Sequence, residues 1–141
     1  MNVYADTSFL ASIYLTDSHT LEAERRVRSH PALWMTPLHV AEWMHALEQH
    51  VFRRAISRSE ADRFHQRFTE HRVEGLWRET AIPDNAFEVC AELAKKYAAR
   101  IGVRTLDSLH VACALELRAD RFWTFDLRQQ ELARAVGLNI A

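Results

Sequence analysis

The segment VYADTSFL, residues 3–10, places a short apolar run directly before an aspartate and two hydroxyl residues. After Asp6, apolar side chains recur at Phe9, Leu10 and Ile13 with the spacing of one helix face. We therefore interpret this segment as a buried strand that passes straight into a helix. Units of this kind build parallel sheets.

The same alternation of a short strand and a helix recurs along the whole chain. Further apolar runs that predict strands are residues 33–35, 75–79, 122–124 and 138–140. Short buried strands that alternate with helices are typical of a parallel sheet covered on both faces. The sequence predicts one three-layer α/β/α domain, residues 1–141, around a central parallel sheet of about five strands.

Composition narrows the class of protein. The chain has 141 residues, of which 48% are hydrophobic and 26% charged, as expected for one globular domain with its own core. No apolar run approaches the roughly 18 residues that span a bilayer, and no basic leader precedes an apolar stretch, so we expect a cytoplasmic protein. Cys90 and Cys113 lie in apolar helical surroundings, which favours buried thiols over a disulfide.

The charge balance gives no general sign of nucleic-acid binding, because the net charge is -1. Only Lys95 and Lys96 are lysines, so nearly all the positive charge is arginine. Arginine favours discrete, bidentate contacts with phosphate. The arginine clusters at residues 25–28 and 53–58 are consistent with such contacts or with solvated helix faces.

Four acidic residues fall at one edge of the predicted sheet. Asp6 follows the first strand, Asp126 follows the fourth, and Glu42 lies one turn into the helix that leaves the second. Asp107 opens a buried helix whose other end leads into the fourth strand, which returns Asp107 to the same edge. Open α/β sheets bind their ligands at this edge.

Carboxylates gathered in one place require a reason. Two of them about 4 Å apart repel by about 4 kcal/mol at an effective dielectric constant near 20. A hard cation such as Mg²⁺, which takes carboxylate, water and phosphate oxygens, makes their closeness tolerable. Such a site suits metal-assisted hydrolysis of a phosphodiester. The aspartates also occupy positions typical of helix caps and first turns, and this alternative stays open.

Four segments resemble the acidic motifs of PIN domains, and more narrowly those of VapC-type toxins of bacterial toxin–antitoxin pairs. They are YADTSFL at residues 4–10, VAEW at 40–43, RTLDSLHVA at 104–112 and WTFD at 123–126. The resemblance spans nearly the whole chain, in the family's order. It implies that the first and fourth strands are adjacent.

The resemblance also implies an activity: a metal-dependent endoribonuclease that uses Mg²⁺, with Mn²⁺ as a substitute, to cut RNA such as tRNA or rRNA. In that family a Mg-bound water attacks the phosphorus. It further implies a homodimer and a cognate antitoxin whose C-terminal segment lies across the site.

The residue roles that the resemblance implies are limited to matching positions. Asp6 and Asp107 are the principal metal ligands, and Glu42 and Asp126 complete the catalytic acidic pocket. Hydrogen bonds that orient these ligands are implied from Ser8 and Thr124.

Other functions of an α/β domain fit the sequence less well. Haloacid-dehalogenase phosphotransferases need a second aspartate two residues after the first, where this chain has Ser8. A glycine loop for nucleotides is excluded, because the three glycines are scattered. The alternative that remains is a catalytically inactive PIN-like scaffold that binds RNA or a partner protein.

The histidines and one tryptophan near the motifs have open roles. His39, Glu42 and His45 are spaced by three residues, which is awkward for joint coordination of Zn²⁺. His110 lies one turn after Asp107 and is either a buried structural histidine or a neighbour of the pocket. Trp43 is either a core residue or a contact for a partner or a base.

Overall fold

The computed structural model describes residues 1–30 and 32–141. Within these residues the sheet has four strands: β1 (Val3–Ala5), β2 (Leu33–Met35), β3 (Trp77–Glu79) and β4 (Arg121–Trp123). The strand order is β3-β2-β1-β4 and every pairing is parallel. The predicted parallel α/β fold is confirmed, and so is the adjacency of the first and fourth strands.

Helices connect the strands and cover the sheet. Their bounds are α1 (Thr7–Tyr14), α2 (Thr20–Ser29), α3 (Pro37–Phe52), α4 (Arg58–Val73), α5 (Ala86–Leu93), α6 (Ala99–Ile101), α7 (Thr105–Glu116) and α8 (Leu127–Ala135). A π-helical turn, Ala94–Ala98, joins α5 to α6. Gly102, at a φ of 78°, ends this long helix in the left-handed conformation that glycine adopts without strain.

The two faces of the sheet carry separate apolar clusters. Val3 and Ala5 of β1 join one cluster with Phe9 and Trp43, whereas Tyr4 between them joins the other with Phe122. This alternation is what a strand buried on both faces requires. Cys90 and Cys113 are free and buried in the second cluster, as predicted. Among the described residues, no helix combines the length and apolar character that a membrane crossing needs.

The predicted fifth strand at residues 138–140 is wrong, because the sheet has four strands. Only one isolated parallel bridge forms there, between Arg121 and Asn139. The side chain of Asn139 accepts a hydrogen bond from the backbone N–H of Ala141 at 2.9 Å. Such a local Asx contact competes with ladder bonds, so the pairing stops after one residue.

A buried histidine ties α3 to the central strand. The N–H of Thr36 donates to Nδ1 of His39 at 3.0 Å, and Nε2 of His39 donates to the carbonyl of Ala5 at 2.8 Å. The first contact needs the neutral ring, because a protonated Nδ1 cannot accept a hydrogen bond. Burial, followed by the charge of His110, lowers the pKa of His39 from 6.5 to about 3. The position of Glu42, one turn further along α3, therefore depends on a neutral His39.

We predict that His39 makes folding sensitive to acid. Its folded pKa lies below its unfolded value of 6.5, so the unfolded chain binds more protons as the pH falls from 6.5 towards 3, and stability is lost across that window. In denaturant titrations of metal-free protein, His39→Gln should remove up to about 1.4 kcal/mol per pH unit of this slope. His45→Gln, exposed on the same helix, should leave the slope unchanged. Equal slopes for wild type and His39→Gln would contradict the assignment.

Candidate acidic active site

Asp6 lies at the end of β1 and is the N-cap of α1. Its side chain is only 6% exposed and accepts three hydrogen bonds. The N–H of Phe9 donates to Oδ1 at 2.9 Å, while the hydroxyls of Ser8 and Thr124 donate to Oδ2 at 2.7 and 3.1 Å. The hydrogen bonds expected from Ser8 and Thr124 are therefore present.

The environment of Asp6 is unfavourable for its negative charge. Burial raises the pKa of Asp6, although the charge of His110 and the three hydrogen bonds act in the opposite direction. Within residues 1–30 and 32–141, no lysine or arginine forms an ion pair with it. A buried carboxylate without a cationic partner is costly unless a cation binds there.

Glu42 is held by a second set of polar contacts. Thr7 donates its hydroxyl to Oε1 of Glu42 at 2.8 Å, and Nε2 of His110 contacts the same oxygen. Nδ1 of His110 lies 2.8 Å from the hydroxyl of Tyr4. Burial acts to raise the pKa of Glu42, but the hydrogen bond and charge of His110, with the Thr7 hydroxyl, hold it below its usual value.

Asp126 and Asp107 stand at helix N-termini. Asp126 caps α8 by accepting the N–H of Gln129 at 2.9 Å, and its own N–H donates to Oγ1 of Thr124 at 3.0 Å. Asp107 lies in the first turn of α7, 27% exposed, with Nε of Arg104 at 3.7 Å. The side-chain amide of Gln129 donates to the carbonyl of Asp107 at 3.1 Å.

These contacts connect three of the four acids at one edge of the sheet. Thr124 bridges Asp6 to the backbone of Asp126, and Gln129 bridges the start of α8 to Asp107. Throughout the described ranges, however, no three Asp, Glu, His or Cys side chains converge closely enough to hold a metal ion between them. The proposed roles of the four acids as ligands thus remain predictions.

A family model described as the PIN domain matches residues 3–135. The chain belongs to the PIN domain family. A search of curated proteins finds no match.

Solved structures share the fold of this PIN domain over nearly its full length. VapC20 of Mycobacterium tuberculosis, described as a toxin that cleaves the sarcin-ricin loop, is 16% identical, with a TM-score of 0.70, over 99% of this chain and 98% of its own. FitAcB of Neisseria gonorrhoeae is 14% identical, with a TM-score of 0.72, over 98% and 95%. A toxin–antitoxin complex from Klebsiella pneumoniae is 15% identical, with a TM-score of 0.59, over 89% and 87%. At these identities the likeness shows the fold alone.

The donors of this PIN domain fit a hard divalent cation by their chemistry. All four acids offer carboxylate oxygens, and Asp6 is a buried anion that lacks a basic partner in the described part of the chain. Mg²⁺ commonly binds through one or two carboxylates and completes its shell with water and substrate phosphate. A site with few direct protein ligands is therefore compatible with the open arrangement seen here.

A groove opens beside Glu42. Its volume is about 1140 Å³, and it is bordered by α1, α3, the start of α4 and the segment before α7. Thr7, Ser8 and Glu42 line it at the acidic edge, whereas Ala46, Ile56 and Phe64 give it an apolar wall elsewhere. The groove is thus continuous with the candidate site.

The sequence left the roles of His110 and Trp43 open, and Thr7 was not predicted to belong to the pocket. His110 is 2% exposed and contacts Glu42, so it is both a buried histidine and a neighbour of the pocket. The place of Thr7 directly after Asp6 was a usable signal. Trp43 is fully buried, so a contact with a base or a partner is excluded. Both ring nitrogens of His39 are engaged inside the fold, which leaves none for Zn²⁺.

We predict that Asp6→Asn separates metal binding from folding. Asn can cap α1 as Asp does, and it removes a carboxyl group whose pKa burial raises from 3.8. The charge of that group costs stability as the pH rises above 3.8, and the full cost is reached above the folded pKa. Metal-free Asp6→Asn should therefore melt at or slightly above the wild-type temperature. Mn²⁺ at 100 times its Kd should stabilise wild type by about 2.7 kcal/mol and leave the variant unchanged.

The matched control for this experiment is Asp120→Asn. Asp120 is exposed and precedes β4, at the opposite edge of the sheet. This control should retain the full Mn²⁺ shift. A full shift in Asp6→Asn would show that Asp6 is a cap and not a ligand.

Proposed function

We propose that this PIN domain is a metal-dependent endoribonuclease, the toxin component of a type II toxin–antitoxin pair. The observation that carries the proposal is the Asp6 carboxylate, buried without a basic partner in the described ranges, at the ligand-binding edge of a PIN fold. Three further acids follow strands or lie near helix N-termini at the same edge. Thr124 links Asp6 to Asp126, Gln129 links α8 to the backbone of Asp107, and Thr7, the residue after Asp6, donates to Glu42.

Asp6 and Asp107 are the proposed principal ligands of Mg²⁺, and Glu42 and Asp126 complete the pocket directly or through water. Mn²⁺ is expected to substitute. A bound Mg²⁺ would supply Lewis-acid polarisation of the phosphodiester and lower the pKa of water. Every other requirement of the reaction falls to the chain's own residues.

Those residues orient and charge the site. Ser8 and Thr124 fix Oδ2 of Asp6, and because their hydroxyls donate to it they favour the ionised carboxylate and oppose the effect of burial on its pKa. Arg104 is 85% exposed beside Asp107 and also lines the groove. We propose that it contacts an RNA phosphate, because a guanidinium is suited to that group.

The two arginine clusters differ in how far they are neutralised. Arg25 and Arg26 both pair with Glu22, and Arg58 pairs with Glu48, which fits solvated helix faces. Arg53 and Arg54 are exposed and form no ion pair among the described residues. We propose that RNA binding depends on a few exposed arginines, in keeping with the net charge of -1.

We also propose a protein partner for the groove. One solved structure with this fold is a toxin–antitoxin complex, and the apolar wall beside Glu42 suits a peptide segment that would cover the site. A homodimer is proposed as well, since apolar side chains remain exposed at Phe52, Phe87 and Leu127. A cytoplasmic location follows from the proposed tRNA or rRNA substrate.

The decisive experiment is cleavage of a generic structured RNA. Wild type with Mg²⁺ or Mn²⁺ should produce fragments, and EDTA should abolish them. Asp6→Asn and Asp107→Asn should each lose at least about 100-fold in rate, as expected when one ligand of a catalytic metal is removed. Asp120→Asn should keep full activity.

If the protein is instead an inactive scaffold, the expected result differs. A scaffold would bind the same RNA in a gel-shift assay with equal affinity with and without divalent metal, and would leave it intact. That result, with wild-type protein shown to be folded by circular dichroism, would overturn the ribonuclease proposal.

The groove can be tested separately from catalysis. Ala55→Glu places a charge beside the apolar wall, at an exposed position beyond the end of α3 and remote in sequence from the four acids. The variant should cut RNA at the wild-type rate but resist inhibition by the protein encoded in the neighbouring reading frame, with a Kd raised about 10-fold or more. Unaltered inhibition would place the partner on another surface.

A further inference from the structure

The side chain of Glu42 is restrained through one of its two oxygens. The Thr7 hydroxyl donates to Oε1 at 2.8 Å, and Nε2 of His110 contacts the same atom. Thr7 and His110 also lie within 3.3 Å of each other, so the three groups form a closed triangle. In the described part of the chain, no hydrogen bond reaches Oε2. This second oxygen is therefore free to face a ligand.

The imidazole of His110 is itself fixed from the core. It is 2% exposed, and its Nδ1 lies 2.8 Å from the hydroxyl of Tyr4, which is fully buried in β1. The ring of His39 packs edge-on against it at a centroid distance of 4.8 Å. Because a carboxylate only accepts hydrogen bonds, Nε2 carries the proton and donates to Glu42. The Tyr4 hydroxyl and Nδ1 share a second hydrogen bond, which fixes the orientation of the ring.

The same strand thereby controls two acids. Asp6 follows β1 directly, and Tyr4, two residues earlier, orients Glu42 through His110. Glu42 lies on α3, whose first turn is fastened to the Ala5 carbonyl by His39. The backbone of α3 and the side chain of Glu42 are thus positioned by separate contacts with β1.

We propose that His110, held by Tyr4, is the positioning residue that directs the free oxygen of Glu42 towards the divalent cation. This inference rests on the proposed function and adds a residue outside the four acids. His110 acts through Glu42 and does not touch the cation. Groups that orient a metal ligand commonly contribute 10- to 100-fold to metal affinity, and we expect about that range here.

A matched pair of substitutions tests the direction of this contact. The amide of Asn lies about where Nδ1 of histidine lies, and the amide of Gln about where Nε2 lies. His110→Asn should keep the contact with Tyr4, lose Glu42 and raise the Kd for Mn²⁺ about 10- to 100-fold in titration calorimetry. His110→Gln should donate to Glu42 and raise the Kd only about 3-fold, the loss expected from its missing contact with Tyr4.

A double-mutant cycle excludes a merely structural role. In a Glu42→Gln background, His110→Asn should cause no further loss of Mn²⁺ affinity, because its only route to the cation has been removed. His45→Asn, on the same helix as Glu42 but exposed, should match wild type. Equal losses in His110→Asn and His110→Gln, or a full additional loss in the Glu42→Gln background, would overturn the inference.

Two further measurements keep the outcomes distinct. If His110→Asn does not fold, as judged by its melting curve in EDTA, Tyr4→Phe replaces it and should weaken Mn²⁺ binding about 3-fold or more through the freed ring. An unchanged Kd in Tyr4→Phe would then overturn the inference. A wild-type protein that binds no Mn²⁺ refutes the proposed function itself, whereas wild-type binding that His110→Asn leaves intact refutes only the role of His110.

Discussion

The Asp6 carboxylate lies at the end of β1, with β2 on one side and β4 on the other, and takes its hydrogen bonds from α1 and from the segment after β4. Moving a carboxylate out of water costs several kcal/mol. Three donors return part of that cost, since hydrogen bonds to a charged group are worth about 1.5–3 kcal/mol each. The order of the strands therefore also determines which hydrogen-bond donors surround the Asp6 carboxylate.

Asp6 and Glu42 are accommodated by different means. Asp6 accepts hydrogen bonds from two hydroxyls and a backbone N–H. Glu42 accepts one from the imidazole of His110, which also contacts Tyr4 of the second core cluster. Because the His110 and His39 rings pack on Tyr4, core packing and the electrostatics of the pocket are not separable. A substitution in the core beneath β1 would consequently alter the acidic edge without touching it.

Much of this arrangement could be predicted from the sequence, because position in a parallel α/β fold determines which edge a residue occupies. Periodicity alone was enough to predict that strands end at Asp6 and near Asp126. It also predicted that α7 returns Asp107 to the same edge. The contact between Glu42 and His110, 68 residues apart, depends on side-chain conformations that no local pattern encodes. The extra strand was predicted because an apolar run does not reveal an Asx turn that ends pairing.

Asp6 is a helix cap and a pocket residue at the same time. Asp6 was expected to be either a helix cap or a pocket residue, yet it accepts the Phe9 N–H with Oδ1 and the two hydroxyls with Oδ2. An ionised carboxylate offers about four lone-pair positions, so a single side chain can perform both tasks. The three contacts leave room for one more partner.

The π-helical turn between α5 and α6 has a consequence for how this fold tolerates changes in chain length. Bonding of the i→i+5 type accommodates one surplus residue within an otherwise α-helical rod. Loss of a single residue among Ala94–Ala98 would restore ordinary i→i+4 bonding and keep Leu93 and Ile101 anchored in their buried positions. A change of one residue in this turn would therefore leave the position of Gly102 unchanged. The start of α7, which carries Asp107, would keep its position as well.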